Sequence, residues 1–410
     1  MPFLRSPAFD LGWFVLPGIL AAIAGLAIGL TSPEPPANES LLLWIGGVLL
    51  VDVAHVYASL YRTYLDPVAR RLHRKRLIAA PLLCLWLGFL LHLESPLLFW
   101  GALAYVAIFH FIKQHLGFAL LYVRAGHESR RDRQLTSLAI WTGTLGPVLW
   151  WHANLPTQFA WFMPGDLVTG LPSWLGSLAL WLELPVWLVF LGRRLDLLRR
   201  GHANPMVPLL ALVPALCWHL GIVVFDDDRI FTITNVFLHG VPYMALVWLT
   251  GGRERVAARL PRASSVVLLA GFYGLLLVLA LAEETLWDRL VWHERPQLFG
   301  PSDGAPHPVI AAALVALLAV PQATHYLLDL DLARRPRQPR ARRSARPGPG
   351  RSTPAALTAR IHISERPGLS RPTRLLRGRY DDPDPERPKG QVSPGRRGYC
   401  VGLGSRIRSS

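Results

Sequence analysis

Hydrophobic positions between about residues 11 and 330 are gathered into long blocks, separated by short segments rich in arginine. Ten blocks are evident, at about 11–31, 41–61, 77–94, 97–123, 135–153, 172–192, 206–224, 230–250, 266–282 and 309–330. At 1.5 Å of rise per helical residue, about 17–27 residues suffice to cross roughly 30 Å of hydrocarbon. The pattern predicts an all-α protein, a polytopic integral membrane bundle of about ten transmembrane helices. The first block is expected to be retained: it is too long for the apolar region of a signal peptide, and Thr31-Ser32-Pro33-Glu34 is a poor cleavage site.

The segments between blocks alternate in charge. One set carries Arg5, then Arg62, Arg70, Arg71, Arg74, Lys75 and Arg76, and the same side recurs at Arg124, Arg130, Arg131 and Arg133, at Arg193, Arg194, Arg199 and Arg200, and at Arg253, Arg255, Arg259 and Arg262. The other set carries only Arg229, Arg289 and Arg295. Because basic loops stay cytoplasmic, both termini are expected in the cytoplasm, with the chain in a bacterial-type inner (plasma) membrane. Trp150 and Trp151, at the outer end of the fifth block, read as interface anchors.

Composition agrees: 51% of the 410 residues are hydrophobic, 17% are charged, and the mean hydropathy is +0.30, which excludes a soluble globular enzyme. The net charge of +16 is not spread over the chain; residues 334–410 hold +15 of it and the rest holds +1. The partner implied is therefore the lipid bilayer, and no nucleic acid. The chain divides into a transmembrane helical domain, 1–332, and an Arg/Pro/Gly-rich cytoplasmic tail, 333–410, expected to be disordered because it has too little apolar surface to offset ordering entropy. Cys84, Cys217 and Cys400 make neither a disulfide framework nor a zinc spacing. Oligomeric state is not specified by any of these features.

Ionisable groups within a span cost roughly 2.5–3.5 kcal/mol each, so they persist where they face a protein interior. Four blocks carry such groups, and each holds a histidine: Asp52 with His55; His110 and His115 with Lys113 and Gln114; Asn235 with His239 and Tyr243; Gln322 with His325 and Asp329. All four run from outside to inside, and the imidazoles fall about 8–20 Å from the cytoplasmic ends at 1.5 Å per residue. Taken singly, each histidine reads as a buried, hydrogen-bonded structural residue. Taken together, His55, His110, His115, His239 and His325 predict one metal site, for which Asp52, Asn235 and Asp329, a helical turn away, would orient the imidazoles. Lys113 or Gln114 would lie beside the pocket. Between His110 and His115, 500° of helical turn leaves the side chains about 140° apart, so both need not serve one metal.

Other signals are weaker. Glu183, just before Pro185, reads as a base, a ligand or a structurally bonded carboxylic acid; His73, His127, His202, His293, His307 and His362 sit in loops or the tail, and His92, His152 and His219 near outer ends. Histidine boxes, HExxH, GxGD and a Walker A loop are absent.

Phe109-His110-Phe111, Asp52-Val53-Ala54-His55 and Ala323-Thr324-His325 together resemble the Brp/Blh family of membrane carotenoid-cleaving dioxygenases. The chain departs from that pattern at Ile112, where the family has glycine, and at Ala54-His55-Val56, where it has Pro-His-Gly. The resemblance implies one ferrous iron (Fe2+) held by histidines from several helices, and an apolar lipid or isoprenoid substrate. Three readings follow: a metal-dependent oxygenase or oxidoreductase; a non-enzymatic transporter or scaffold, in which Lys113, Asp52 and Asp329 pair electrostatically; and a haem-binding membrane protein. Topology is directly testable. Reporter fusions at Gly126 and Gly165 should report opposite sides of the membrane, and the same side at both contradicts ten spans.

Overall fold

The computed structural model describes residues 3–32, 40–124, 128–157, 161–225, 227–301 and 306–332, with the side chains of the last three left out. The expected disordered tail, 333–410, lies outside the described residues, as do His127, His362 and Cys400. Helices account for every element, with no strand among the described residues. In chain order they are α1 (Pro7–Thr31), α2 (Leu41–Arg62), α3 (Pro67–Leu72), α4 (Arg74–Glu94), α5 (Pro96–Val123), α6 (Arg130–Asn154), α7 (Ser173–Arg199), α8 (Met206–Val224), α9 (Asp228–Ala257), α10 (Ser265–Trp292), α11 (Pro296–Phe299), α12 (Pro308–Leu318) and α13 (Val320–Leu332).

Eight of these, α1, α2, α4, α5, α7, α8, α9 and α10, are long and apolar enough to cross a membrane. The pair α12–α13 would make a ninth, broken by a 42° bend. Pro321 supplies the cause, since it has no N–H to donate and its ring would clash with the carbonyl four residues back. The fifth predicted block lies within α6, a helix of 25 residues that lacks the apolarity of the others. Its start is set by a capping box: the Ser129 hydroxyl accepts from the Asp132 N–H, and the Asp132 carboxylate accepts from the Ser129 N–H. Beside this cap a buried polar knot joins α6 to α7, where Arg194 pairs with Glu128 at 2.7 Å and donates to Thr136, while Arg193 pairs with Asp132 at 2.7 Å.

The core is built around α9, of whose most apolar stretch 72% is buried, against 17% for α4 and for α7. The apolar faces of α4 and α7 point outward, exposing Leu82, Trp86, Trp181 and Leu188. Helix α9 packs on α1, α2 and α8; α13 packs on α2, α4 and α5; and α5 touches α9. The four helices that carry the predicted site residues therefore close a ring, α2–α13–α5–α9. Aromatic side chains fill one side of it, with Trp161 against Phe231 at 5.1 Å and Trp218 against Phe231 at 5.7 Å between ring centroids. Trp151 belongs to this wall and is not an interface anchor: it is 1% exposed, rests on Trp161 and Phe231, and donates its indole N–H to Thr157 at 3.1 Å. Trp150, next along α6, is half-buried on another face.

Small residues hold α6 and α7 at close approach. A Cβ added at Gly176 would lie 2.9 Å from the Trp150 Cα and from the Ala153 Cβ, the kind of seam that glycine makes possible between helices. Gly192, on the same helix, would meet nothing within 4 Å. Gly176→Ala should therefore destabilise the detergent-purified protein by about 1–3 kcal/mol through overpacking. Gly192→Ala should be neutral or stabilising, as read by thermal unfolding.

Candidate metal centre

Backbone form prepares the site before any side chain meets another. Residues Trp44–Val53 of α2 are wound as a π-helix, and the helix returns to α form at Ala54, one residue before His55. The wider π turn puts carbonyls out of ordinary helical register, and that of Leu50 accepts the Tyr273 hydroxyl from α10. Helix α9 approaches this segment at Gly240. A Cβ there would stand 2.7 Å from Val51 Cγ1, 3.2 Å from the Val51 carbonyl oxygen and 3.4 Å from the His55 Cβ. Only glycine lets α9 come so near α2, and the residue preceding it is His239.

Four imidazoles meet inside the helix ring. Centroid separations are 4.7 Å for His55–His239, 5.0 Å for His239–His110, 4.7 Å for His110–His325 and 5.1 Å for His325–His55, a closed four-membered circuit. Its order repeats the order of the helices, α2, α9, α5 and α13. Donor atoms of His55, His239 and His325 all lie within 4.8 Å of one another, and those of His110, His325 and Asp329 form a second such group. His115 stands outside the circuit, 6.2 Å from His239 and 6.4 Å from Phe111. All five rings are at most 2% exposed.

The donors are unsatisfied. Both ring nitrogens of His55, His239 and His325, together with Nε2 of His110 and of His115, are buried without a hydrogen-bond partner. Buried polar atoms are nearly always paired, and each orphan costs about 1–3 kcal/mol. Seven of these eight nitrogens belong to the four rings of the circuit, a donor set that fits a divalent cation taking nitrogen ligands.

Around the circuit the polar residues divide their tasks. Asp52 Oδ1 lies 3.7 Å from His55 Nδ1, and Asp329 Oδ2 lies 4.0 Å from His325 Nδ1, so a carboxylate flanks each of these imidazoles from its own helix. The other oxygen of Asp329 accepts the Tyr243 hydroxyl at 2.9 Å and faces Arg62 at 3.9 Å. Asn235 does not reach His239: its amide donates to the Phe231 carbonyl and to Thr234, since its short side chain finds acceptors in its own preceding turn. Gln114 donates to the His239 backbone carbonyl at 2.9 Å, bracing α9 and not the ring. Gln322 donates to the Tyr326 hydroxyl at 2.7 Å, and Tyr326 lies 4.6 Å from His110. Lys113 is half-buried, and no ion pair joins it to Asp52 or Asp329 among the described residues.

Three contributors escape a reading by periodicity. Phe111 stacks on His239 at 4.0 Å with planes 17° apart, Tyr326 backs His110, and Arg62 neutralises Asp329. Phe111 and Tyr326 are ordinary core residues by type, and Arg62 reads as a loop charge. Adjacency to His110 and His325 in sequence was the available signal for the two aromatics.

Glu183 is remote from the circuit. It accepts from or donates to His219 Nε2 at 2.9 Å, while His219 Nδ1 faces the Ala215 carbonyl. His152 lies between the Tyr105 hydroxyl and the Val148 carbonyl. No family model matches the chain, and no curated protein or solved structure matches it either.

Because Gly240 sets the distance between α2 and α9, Gly240→Val should separate His55 from His239. The expected result is loss of bound divalent metal together with a lower unfolding temperature. Gly46→Ala, whose Cβ would meet nothing within 4 Å, should change neither.

Proposed function

We propose that the chain is a ten-span inner-membrane metalloprotein, an iron-dependent oxygenase or oxidoreductase acting on an apolar lipid or isoprenoid substrate. The observation that carries this reading is the circuit of four buried imidazoles with orphaned nitrogens. Asp52 and Asp329 lie on the Nδ1 sides of His55 and His325, leaving Nε2 of each as the donor. Two carboxylates beside four neutral ligands also offset the charge of a dication in a medium where an uncompensated ion is costly. Iron, when bound, supplies the one-electron chemistry that dioxygen requires. The chain's part is to hold the imidazoles in fixed directions and to keep water away by burial.

The membrane reading is supported by eight apolar helices and the α12–α13 pair, by outward-facing leucines and tryptophans, and by the alternation of basic segments. Helix α6 counts as the remaining span: packed between α5, α7 and α8, it need not be apolar enough to face lipid. On this topology both termini are cytoplasmic.

Support for oxygen chemistry comes from the resemblance to the Brp/Blh family, since His55, His110 and His325, which carry it, are members of the circuit. A transporter or scaffold finds less support, because among the described residues Lys113 makes no ion pair with Asp52 or Asp329. A haem is poorly accommodated: four imidazoles with neighbouring centroids 4.7–5.1 Å apart leave no plane for a macrocycle between them.

Elemental analysis of detergent-purified protein decides the matter. Wild type should carry about one iron per chain, and alanine at His55, His110, His239 or His325 should each abolish it. Glu183→Gln should retain the metal. A wild-type protein free of metal overturns the reading.

A further inference from the structure

Away from the histidines, a groove of about 590 Å3 opens where α3 meets the first turn of α4, lined by Arg70, Arg71, Arg74, Tyr64, Leu77 and Ile78. The three arginines are exposed, and their guanidinium groups have no hydrogen-bond or ion-pair partner among the described residues. No acidic residue lines the groove. Its walls are nonetheless held firmly. Asp66 caps α3 by accepting from the Val68 N–H at 2.9 Å, and its other oxygen takes Arg255 from the end of α9 at 2.6 Å. The Tyr64 hydroxyl donates to the Leu77 carbonyl at 2.7 Å, tying the segment between α2 and α3 to α4.

Electrostatics leave this place incomplete. Three like charges face one groove with no acidic partner among the described residues, and α4 begins beside them with no acidic residue in its first turn and no side-chain cap. The positive end of a helix dipole adds to the same potential. Below the arginines the surface turns apolar. From Arg74, steps of four residues lead to Ile78, Leu82 and Trp86, which are 53%, 60% and 58% exposed. A charged anchor over an apolar track, at the cytoplasmic boundary of a span, matches a molecule with an anionic head and a hydrocarbon tail.

We propose that this groove binds the phosphate of an anionic phospholipid, with an acyl chain lying along Ile78, Leu82 and Trp86. The assignment rests on the membrane-spanning topology proposed above, but not on the metal. Arg70 and Arg71 approach the phosphate from α3 and Arg74 from α4, so an occupied groove staples the α3 turn onto α4.

Detergent-solubilised full-length protein titrated with phosphatidylglycerol, with retained lipid read by native mass spectrometry, tests the proposal. Three proteins are compared: wild type, the Arg70→Gln/Arg71→Gln/Arg74→Gln triple, and a charge-matched triple, Arg130→Gln/Arg131→Gln/Arg133→Gln, at another basic segment. The basic tail is the same in all three, so its contribution cancels. The groove triple should bind phosphatidylglycerol roughly a hundredfold more weakly, at about fivefold per lost guanidinium. The charge-matched triple should bind as wild type, and bound lipid should raise the unfolding temperature of wild type only where the groove is intact. Equal weakening in both triples, equal retention of phosphatidylcholine, or the same stabilisation by inorganic phosphate overturns the assignment. Failure of the topology is read separately, as release of the wild-type protein from membranes by alkaline carbonate.

Discussion

Everything about the centre of this protein follows from gathering unsatisfied imidazole nitrogens at one point. An orphaned polar atom in a dry interior costs free energy, and seven of them in four adjoining rings do not collect by hydrophobic packing alone. The surrounding helices give up local regularity to make the gathering possible: α2 is wound as a π-helix for ten residues, α13 is bent away from α12 by 42°, and α9 presents glycine where it crosses α2. Each departure lies within a turn or two of a histidine. Wide turns also occur at His219–Val224, Trp248–Gly252 and Asp288–Trp292, so it is the coincidence of a π-helix, a bend and a close glycine contact at one place that distinguishes the circuit.

The charges around the circuit are graded outward. Neutral imidazoles occupy the middle, Asp52 and Asp329 flank them on their own helices, and Arg62 and the Tyr243 hydroxyl hold Asp329 from α2 and α9. Asp329 is thereby fixed by two other helices while it stands beside His325. The aromatic faces of Phe111 and Tyr326 close the remaining sides of His239 and His110, limiting ring rotation without offering competing ligands. This grading also explains how the histidines of four apolar helices are tolerated: all of them are turned inward and buried.

At the other extreme, the basic segments face outward and are divided between two kinds of use. Arg193, Arg194 and Arg255 are consumed internally, by Asp132, Glu128 and Asp66, and lock helix ends together. Arg70, Arg71 and Arg74 have no such partner among the described residues and are displayed over an apolar stripe. Loop charge in the sequence looks uniform across these segments; only the fold distinguishes a structural arginine from one available to a ligand.

By itself the sequence determined what depends on near neighbours along the chain. Block length and apolarity specify helices, since a long run without polar interruption has no other way to satisfy its backbone, and the all-helical architecture was legible on that ground. So were the pairs Asp52–His55 and Asp329–His325, because three- and four-residue spacings bring side chains to one face whatever surrounds them. Tertiary structure decided the rest. Whether His110 or His115 joins the circuit depends on how α5 is rotated against α9 and α13, and the 140° between them carries no preference of its own. Asn235 and Gln114 stand at the right spacing yet bond to backbone, because other acceptors lie closer. Position at a block end reads Trp151 as an interface anchor, whereas Phe231 of α9 and the segment carrying Trp161 bury it. Apolarity along α6 understates its role for the same reason: what a helix must expose is set by the helices that cover it, and those come from distant parts of the chain.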